Sequence, residues 1–192
     1  SNRSLCPAAQ THAGTGWTRP PRHLPENAVI VDEAVSSSLC LREFVRLGIG
    51  NDYYTSASGG LGWAMPASIG IKMAQPERPV VCVIGDGSAM YSIQALWSAR
   101  EENAPVLFLT LNNSAYNILK SFTMAFYPGN EGRMQGLDVP HLDLVQLAQG
   151  MGIAAERVAT PEAVEEAIPR ALQSAQPTLL DVSIDPTVPS LF

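Results

Sequence analysis

The residues best suited to chemistry stand where two apolar runs stop. Val81-Cys82-Val83-Ile84 runs into Gly85-Asp86-Gly87-Ser88, and the run Val106–Leu111 ends at Asn112-Asn113. Taken singly, each motif is ordinary, because Asp-Gly and Asn-Asn sequences make tight, solvated turns. Gly85 and Gly87 also match the opening of the dinucleotide fingerprint G-x-G-x-x-G, but Met90 occupies the third glycine position. Charge argues against that reading. Asp86 would lie beside a pyrophosphate with nothing to neutralise it, and no acidic residue closes the next apolar run. The carboxylate makes sense once a divalent cation stands between it and phosphate oxygens. Mg²⁺ is an octahedral, oxygen-seeking ion that takes few ligands from protein and the rest from phosphates and water. Asp86 can give one oxygen, and the side-chain amide of Asn113, 27 residues further on, can give another. One helix and one returning strand fill that interval, which lets the two strand ends be neighbours in space.

Positioning two such ends requires strands and helices in alternation, and the chain from residue 28 has that pattern. Strands are expected at Ala28–Val31, Tyr53–Thr55, Val80–Ile84, Val106–Leu111, Ala154–Val158 and Thr178–Ile184. Helices are expected near Val35–Leu47, over Trp63–Ala74, over Tyr91–Glu102 and over His141–Met151, where His141 stands at the cap position. A long loop follows Asn113. A further helix opens with Thr160 as N-cap and Pro161 at its first position, and Pro169 should kink it or end it early. Because the central strands are apolar throughout, the fold class is α/β, a mostly parallel sheet with helices on both faces. Such sheets bind ligands at the carboxyl ends of their strands. Residues 1–27 carry Pro7, Gly14, Gly16, Pro20, Pro21 and Pro25 with no periodicity, and read as a flexible arm or linker before a domain over 28–192.

Gly-Asp-Gly-Ser followed 27 residues later by the second Asn of Asn-Asn resembles the thiamine diphosphate motif of the decarboxylase and acetohydroxyacid synthase superfamily. Within that superfamily the chain is most similar to the benzoylformate decarboxylases. The likeness is carried by Ser58-Gly59-Gly60-Leu61-Gly62-Trp63-Ala64-Met65-Pro66-Ala67, by Gly85–Ile93 and by Gly136-Leu137-Asp138-Val139-Pro140. It implies the thiamine diphosphate-binding fold of the C-terminal domain, with thiamine diphosphate and Mg²⁺ as cofactors. Asp86, the Asn113 side chain and the Ala115 backbone carbonyl would then ligate the metal. Gly87, Ser88 and Tyr116 would contact the diphosphate, with Ser36 and Ile118 among the other cofactor contacts. Val35 stands where relatives can carry a hydroxyl residue. Gly59 and Gly60 would border the aminopyrimidine, Gly59 through its carbonyl, and Leu61 would wedge between the two rings. Leu119 and Phe122 match positions that line a 2-oxo acid pocket. Ordinary alternatives are a core leucine at 61, a buried aromatic at 116, and a helical core face for 119 and 122.

Composition narrows the remaining classes. A 192-residue chain with 46% apolar residues can bury a sizeable core without disulfides, and Cys6, Cys40 and Cys82 are too few and scattered for a zinc or disulfide framework. A net charge of −6 argues against general nucleic-acid binding, and no apolar run reaches the length needed to span a bilayer. A reducing cytoplasm is the expected compartment. The resemblance implies a thiamine diphosphate-dependent lyase, a homo-oligomer whose cofactor is shared with a pyrimidine-binding domain of the same or another chain. That domain carries the activating glutamate in relatives, and none of His12, His23 and His141 matches the family's catalytic histidines. No catalytic residue is therefore assigned to this chain, which is expected to be inactive alone, as a fragment or a split subunit. An acetolactate synthase-type carboligase domain and a non-catalytic cofactor-binding subunit remain the alternatives.

Overall fold

The computed structural model describes residues 24–38, 41, 53–130 and 134–187. Six strands form one sheet: β1 Val29–Glu33, β2 Tyr53–Thr55, β3 Val80–Gly85, β4 Val106–Asn112, β5 Ala154–Val158 and β6 Thr178–Ser183. Their order is β2-β1-β3-β4-β6-β5, and every pairing is parallel. The sheet is thus wholly rather than mostly parallel. The helices are α1 Ala64–Ala74, α2 Asp86–Ala89, α3 Ala95–Glu101, α4 Asn117–Phe126, α5 Leu144–Gly150 and α6 Pro161–Leu172.

Both faces of the sheet are covered, which is why β3 and β4 read as unbroken apolar runs. On one face Val29, Val31, Cys82, Phe108 and Leu179 pack against Met65 and Ile69 of α1, Leu96 of α3 and Leu144 of α5. On the other, Ile30, Val83, Leu107 and Leu180 pack against Val164, Ala167 and Ile168 of α6. Each large apolar side chain buried in this way contributes roughly 1.5–3 kcal/mol. The chain leaves β1 for β2 on one side and then crosses to β3 on the other. The carboxyl ends of β1 and β3 therefore flank a change of direction in strand order, the place where open α/β sheets hold ligands.

Several elements depart from the sequence expectation. The helix placed over Tyr91–Glu102 is a single turn at α2, a run of i→i+3 bonds from Ser88 to Gln94, and then α3. The long loop after Asn113 contains α4, a ten-residue helix that the element pattern did not anticipate. His141 does not cap α5. It lies at φ 62°, and the cap is Asp143, whose side chain accepts from the Gln146 N–H. Thr160 caps α6 as expected, accepting from the Ala163 N–H at 3.2 Å. Pro169 neither ends that helix nor stops its last bond, because it falls one turn before the end and its carbonyl still accepts from the Gln173 N–H. Most of the helix expected near Val35–Leu47, and the arm before Leu24, lie outside the described residues. Among the described residues no helix is long and apolar enough to cross a membrane.

Candidate functional site

β3 and β4 run side by side with Ile84 opposite Thr110 and Gly85 opposite Leu111. This register brings the two motifs to the same end of the sheet. Gly85 is extended (ψ 152°), and the backbone turns helical at Asp86, so Asp86, Gly87 and Ser88 form the single turn α2 rather than a β-turn. All three are buried. Burial pushes the Asp86 carboxyl above its ordinary range, while N–H groups of Gly87 and Ser114 act the other way. Asp86 Oδ2 is buried and has no hydrogen-bond partner. A buried carboxylate oxygen left unpaired is costly, and a cation is the group that would offset that cost.

The loop after β4 is held from several directions. Asn112 Oδ1 accepts from the Ser114 N–H at 3.0 Å and from its hydroxyl, which steadies Ser114 at φ 57°. Asn112 Nδ2 donates in turn to Asp181 of β6 at 3.0 Å, and Arg157 of β5 donates to the other oxygen of that carboxylate at 2.9 Å. Asp181 is fully buried and its charge raises the Asp86 carboxyl further. Asn113 is also buried, and its Oδ1 accepts from the Ala115 N–H at 3.0 Å, which fixes the amide orientation. Residues 137–139 lie across the loop as a strap. Tyr116 N–H donates to Leu137, Val139 N–H donates to Ser114, and Lys120 pairs with Asp138 at 2.5 Å.

The third component is the glycine-rich loop between β2 and α1. Ser56 Oγ accepts from the N–H groups of Ser58 and Gly59, and Gly59 has φ 69°. Gly62 has φ 91°, and a Cβ there would meet the Tyr91 Cβ at 2.7 Å, so both conformation and space require glycine. Its N–H donates to Glu33 at the end of β1, and the Ala64 N–H donates to the same carboxylate at 2.7 Å. Gly87 is a glycine for a different reason: its Cβ would lie 2.5 Å from the Tyr116 ring.

The structure brings together, at one end of the sheet, Ser36 in the turn after β1, the loop Gly59-Gly60-Leu61, the turn Asp86-Gly87-Ser88, and Asn113, Ala115, Tyr116 and Ile118. Leu61, Tyr116 and Ile118 are half-buried. Leu119 and Phe122 are 42% and 41% exposed, so the core explanation for their helical spacing does not hold. Phe122 instead stands beside Phe126, with ring centroids 6.0 Å apart. Glu33, Asp32, Asp181 and Arg157 support the site and were missed from sequence. The only local signal was two acidic residues ending an otherwise apolar strand, since their partners are distant along the chain. Asp86, Asn113 and Ala115 offer a carboxylate, an amide oxygen and a backbone carbonyl, all hard oxygen donors. Together with the unpaired Asp86 Oδ2, that set fits Mg²⁺ held jointly with phosphate.

Known proteins share this fold. Residues 34–182 match the family described as thiamine pyrophosphate enzyme, C-terminal TPP binding domain; thiamine pyrophosphate and thiamine diphosphate are the same compound. The chain is 39% identical over 158 residues to the benzoylformate decarboxylase of Pseudomonas aeruginosa, covering 82% of this chain and 29% of that protein. It is 37% identical over 134 residues to the acetolactate synthase isozyme 3 large subunit of Escherichia coli, covering 67% of this chain and 23% of that one. The thiamine diphosphate-dependent 4-hydroxybenzoylformate decarboxylase of Rhodococcus jostii superposes with a TM-score of 0.82 at 37% identity, over 97% of this chain and 37% of that chain. The chain thus spans about a third or less of the length of the curated relatives it matches. With a parallel sheet, an acidic turn and an asparagine loop at one end of it, this chain belongs to the thiamine diphosphate-binding C-terminal domain family of thiamine diphosphate enzymes.

Proposed function

We propose that residues 28–192 form the diphosphate-binding domain of a thiamine diphosphate-dependent 2-oxo acid decarboxylase of the benzoylformate decarboxylase type. Of the residues expected to precede it, the described ones lie against the domain, with Leu24 packed on the core and the Asn27 carbonyl accepting from Arg78 at 2.8 Å. The observation that carries the metal assignment is the buried, unpartnered Oδ2 of Asp86 beside the Asn113 loop. Asp86, the Asn113 side chain and the Ala115 carbonyl hold Mg²⁺. Gly87 and Ser88 present N–H groups to the diphosphate, and what a one-turn helix offers is those donors rather than a macrodipole. Tyr116, packed on Gly87, closes the diphosphate site, and Ser36 and Ile118 border it. Gly59, Gly60 and Leu61 orient the aminopyrimidine end.

When bound, the cofactor supplies a nucleophilic carbon for the 2-oxo carbonyl and a sink for the electron pair left as CO₂ departs. This chain's residues orient it, hold its charge and line the approach. Leu119 and Phe122, exposed on α4 one to two turns beyond the metal loop, offer apolar surface to an aromatic or branched 2-oxo acid. A pyrimidine-binding domain of the same or another chain covers the remaining half of the cofactor, within a homo-oligomer. Likeness to an acetolactate synthase as well as to decarboxylases supports carboligation as the second reading.

Calorimetric titration of the chain with thiamine diphosphate, in Mg²⁺ or in EDTA, tests the metal bridge. Asp86→Ala removes the only anionic ligand, so cation and cofactor binding are expected to be lost together while the circular dichroism spectrum persists. Cofactor binding that ignores EDTA, or that survives unchanged in folded Asp86→Ala, refutes the assignment.

A further inference from the structure

β1 ends in two consecutive carboxylates that are almost wholly buried, Asp32 at 1% and Glu33 at 3% exposure. Successive strand residues point to opposite faces. Glu33 follows Val29 and Val31 toward the face covered by α1, and Asp32 follows Ile30 toward the other. Among the described residues neither has a Lys or Arg partner, so each is held by N–H and O–H donors alone. Asp32 accepts from the Ala34 N–H at 2.9 Å and from the Tyr53 hydroxyl. Glu33 accepts from the Gly62 N–H at 2.5 Å, from the Ala64 N–H at 2.7 Å, and from the Trp63 backbone.

Those three donors are N–H groups at the start of α1 that the helix cannot satisfy internally, and it has no side-chain cap of its own. A serine or aspartate at position 63 would cap them locally. A carboxylate from 29 to 31 residues away does something a local cap does not, which is to fasten the end of the glycine-rich loop to the sheet. The other end is fastened by Ser56. Gly59 and Leu61 lie between the two anchors, and among the described residues the hydrogen bonds of the Glu33 carboxylate and Ser56 Oγ go to residues 58–64 rather than to the loops that carry Asp86 and Asn113.

We infer that Glu33 is a positioning residue for the aminopyrimidine half of the cofactor, fixing the loop that presents the Gly59 carbonyl and the Leu61 side chain while leaving the diphosphate half untouched. The inference rests on the cofactor reading above and divides that site into two parts with separate supports. Glu33→Gln keeps side-chain volume but turns one acceptor oxygen into a donor facing backbone N–H groups, which cannot pair with it.

The test uses the whole chain, parent and Glu33→Gln, titrated calorimetrically with thiamine diphosphate and with inorganic pyrophosphate, each with Mg²⁺. Affinity for thiamine diphosphate is expected to fall about tenfold, the loss of roughly one charge-assisted hydrogen bond, while affinity for pyrophosphate stays constant. Hydrogen exchange at the Gly62 and Ala64 amides should speed up with no ligand present, a change that reads the clamp directly. A merely structural role would lower the melting temperature and weaken both ligands alike, and an equal loss for both, or for neither, overturns the inference. A parent chain that binds neither ligand overturns the cofactor reading itself and this inference with it. Should Glu33→Gln fail to fold, Glu33→Asp keeps the charge but shortens the reach by one methylene. Titrated with the same two ligands, it supports the inference by a selective loss of thiamine diphosphate and overturns it by an equal loss or none.

Discussion

Gly87→Ala isolates one contact of the site and puts a number on it. Gly87 is the second residue of α2 and its φ is not left-handed, so alanine can adopt the backbone without strain. Space is the obstacle. The new Cβ would lie 2.5 Å from Cε1, 2.8 Å from Cδ1 and 3.1 Å from Cζ of Tyr116. Carbon atoms rest at about 3.5–4.0 Å, so the ring has to retreat by roughly 1 Å. Overpacking of this kind costs about 1–3 kcal/mol, and replacing a helical glycine by alanine returns about 0.5–1 kcal/mol. A net loss of about 1–2 kcal/mol is expected, and for a domain of this size that lowers the melting temperature by roughly 2–8 °C. Urea and thermal unfolding followed by circular dichroism measure it. The decisive background is Tyr116→Ala, which removes all three ring atoms. There Gly87→Ala should be neutral or stabilising, giving a coupling of about 1–3 kcal/mol in the double-mutant cycle. An equal cost in both backgrounds would refute the claim that the Tyr116 ring dictates glycine at 87.

Two further outcomes are expected from buried charge and a buried thiol. Arg157→Ala should destabilise at least as much as Asp181→Ala, by about 2–4 kcal/mol, because it strands a buried carboxylate, whereas an arginine with a 47% exposed side chain rehydrates when its partner is lost; paired urea titrations check the order, and the reverse order would count against it. Cys82 is fully buried with its thiol pushed up to about 12, so iodoacetamide at about pH 8 should leave it unmodified in the native chain and label it in urea. Peptide mapping distinguishes it from Cys6 and Cys40, and native labelling of Cys82 would contradict its packing in β3 beneath the helices of that face.

The sheet was legible because its signal is local. β3 and β4 are apolar on both faces, and the glycines and asparagines that stop them mark the carboxyl ends where a ligand belongs. The proposed metal ligands were legible for a similar reason, each lying within a few residues of a strand end. α4 was harder to read: Leu119, Phe122 and Phe126 recur at helical spacing, but they are exposed while Asn117, Ser121 and Thr123 are buried, the reverse of what apolar periodicity implies. His141 was a poor guide to the start of α5 because the deciding group, Asp143, acts through a bond to the Gln146 N–H. Glu33 and Asp181 were the least readable of all. A buried carboxylate reveals its purpose only through its partners, and theirs are 29 to 31 and 24 to 69 residues away.

The wholly parallel sheet also governs the order in which the molecule can assemble. Among the described residues no strand pairing joins positions fewer than 23 apart, and β4 must meet β6 across 71 residues. Closing loops of that length is slow, and until it happens β4 and β5 each present an unpaired edge. β6 is the wedge that separates and joins them, and it brings Asp181 to Asn112 and Arg157 as it enters. The Asn113 loop therefore acquires its final shape only once β6 is in place. A ligand that recognises that shape binds the finished sheet and not its precursors, so its concentration shifts the folding equilibrium itself, by RT ln(1 + [L]/Kd).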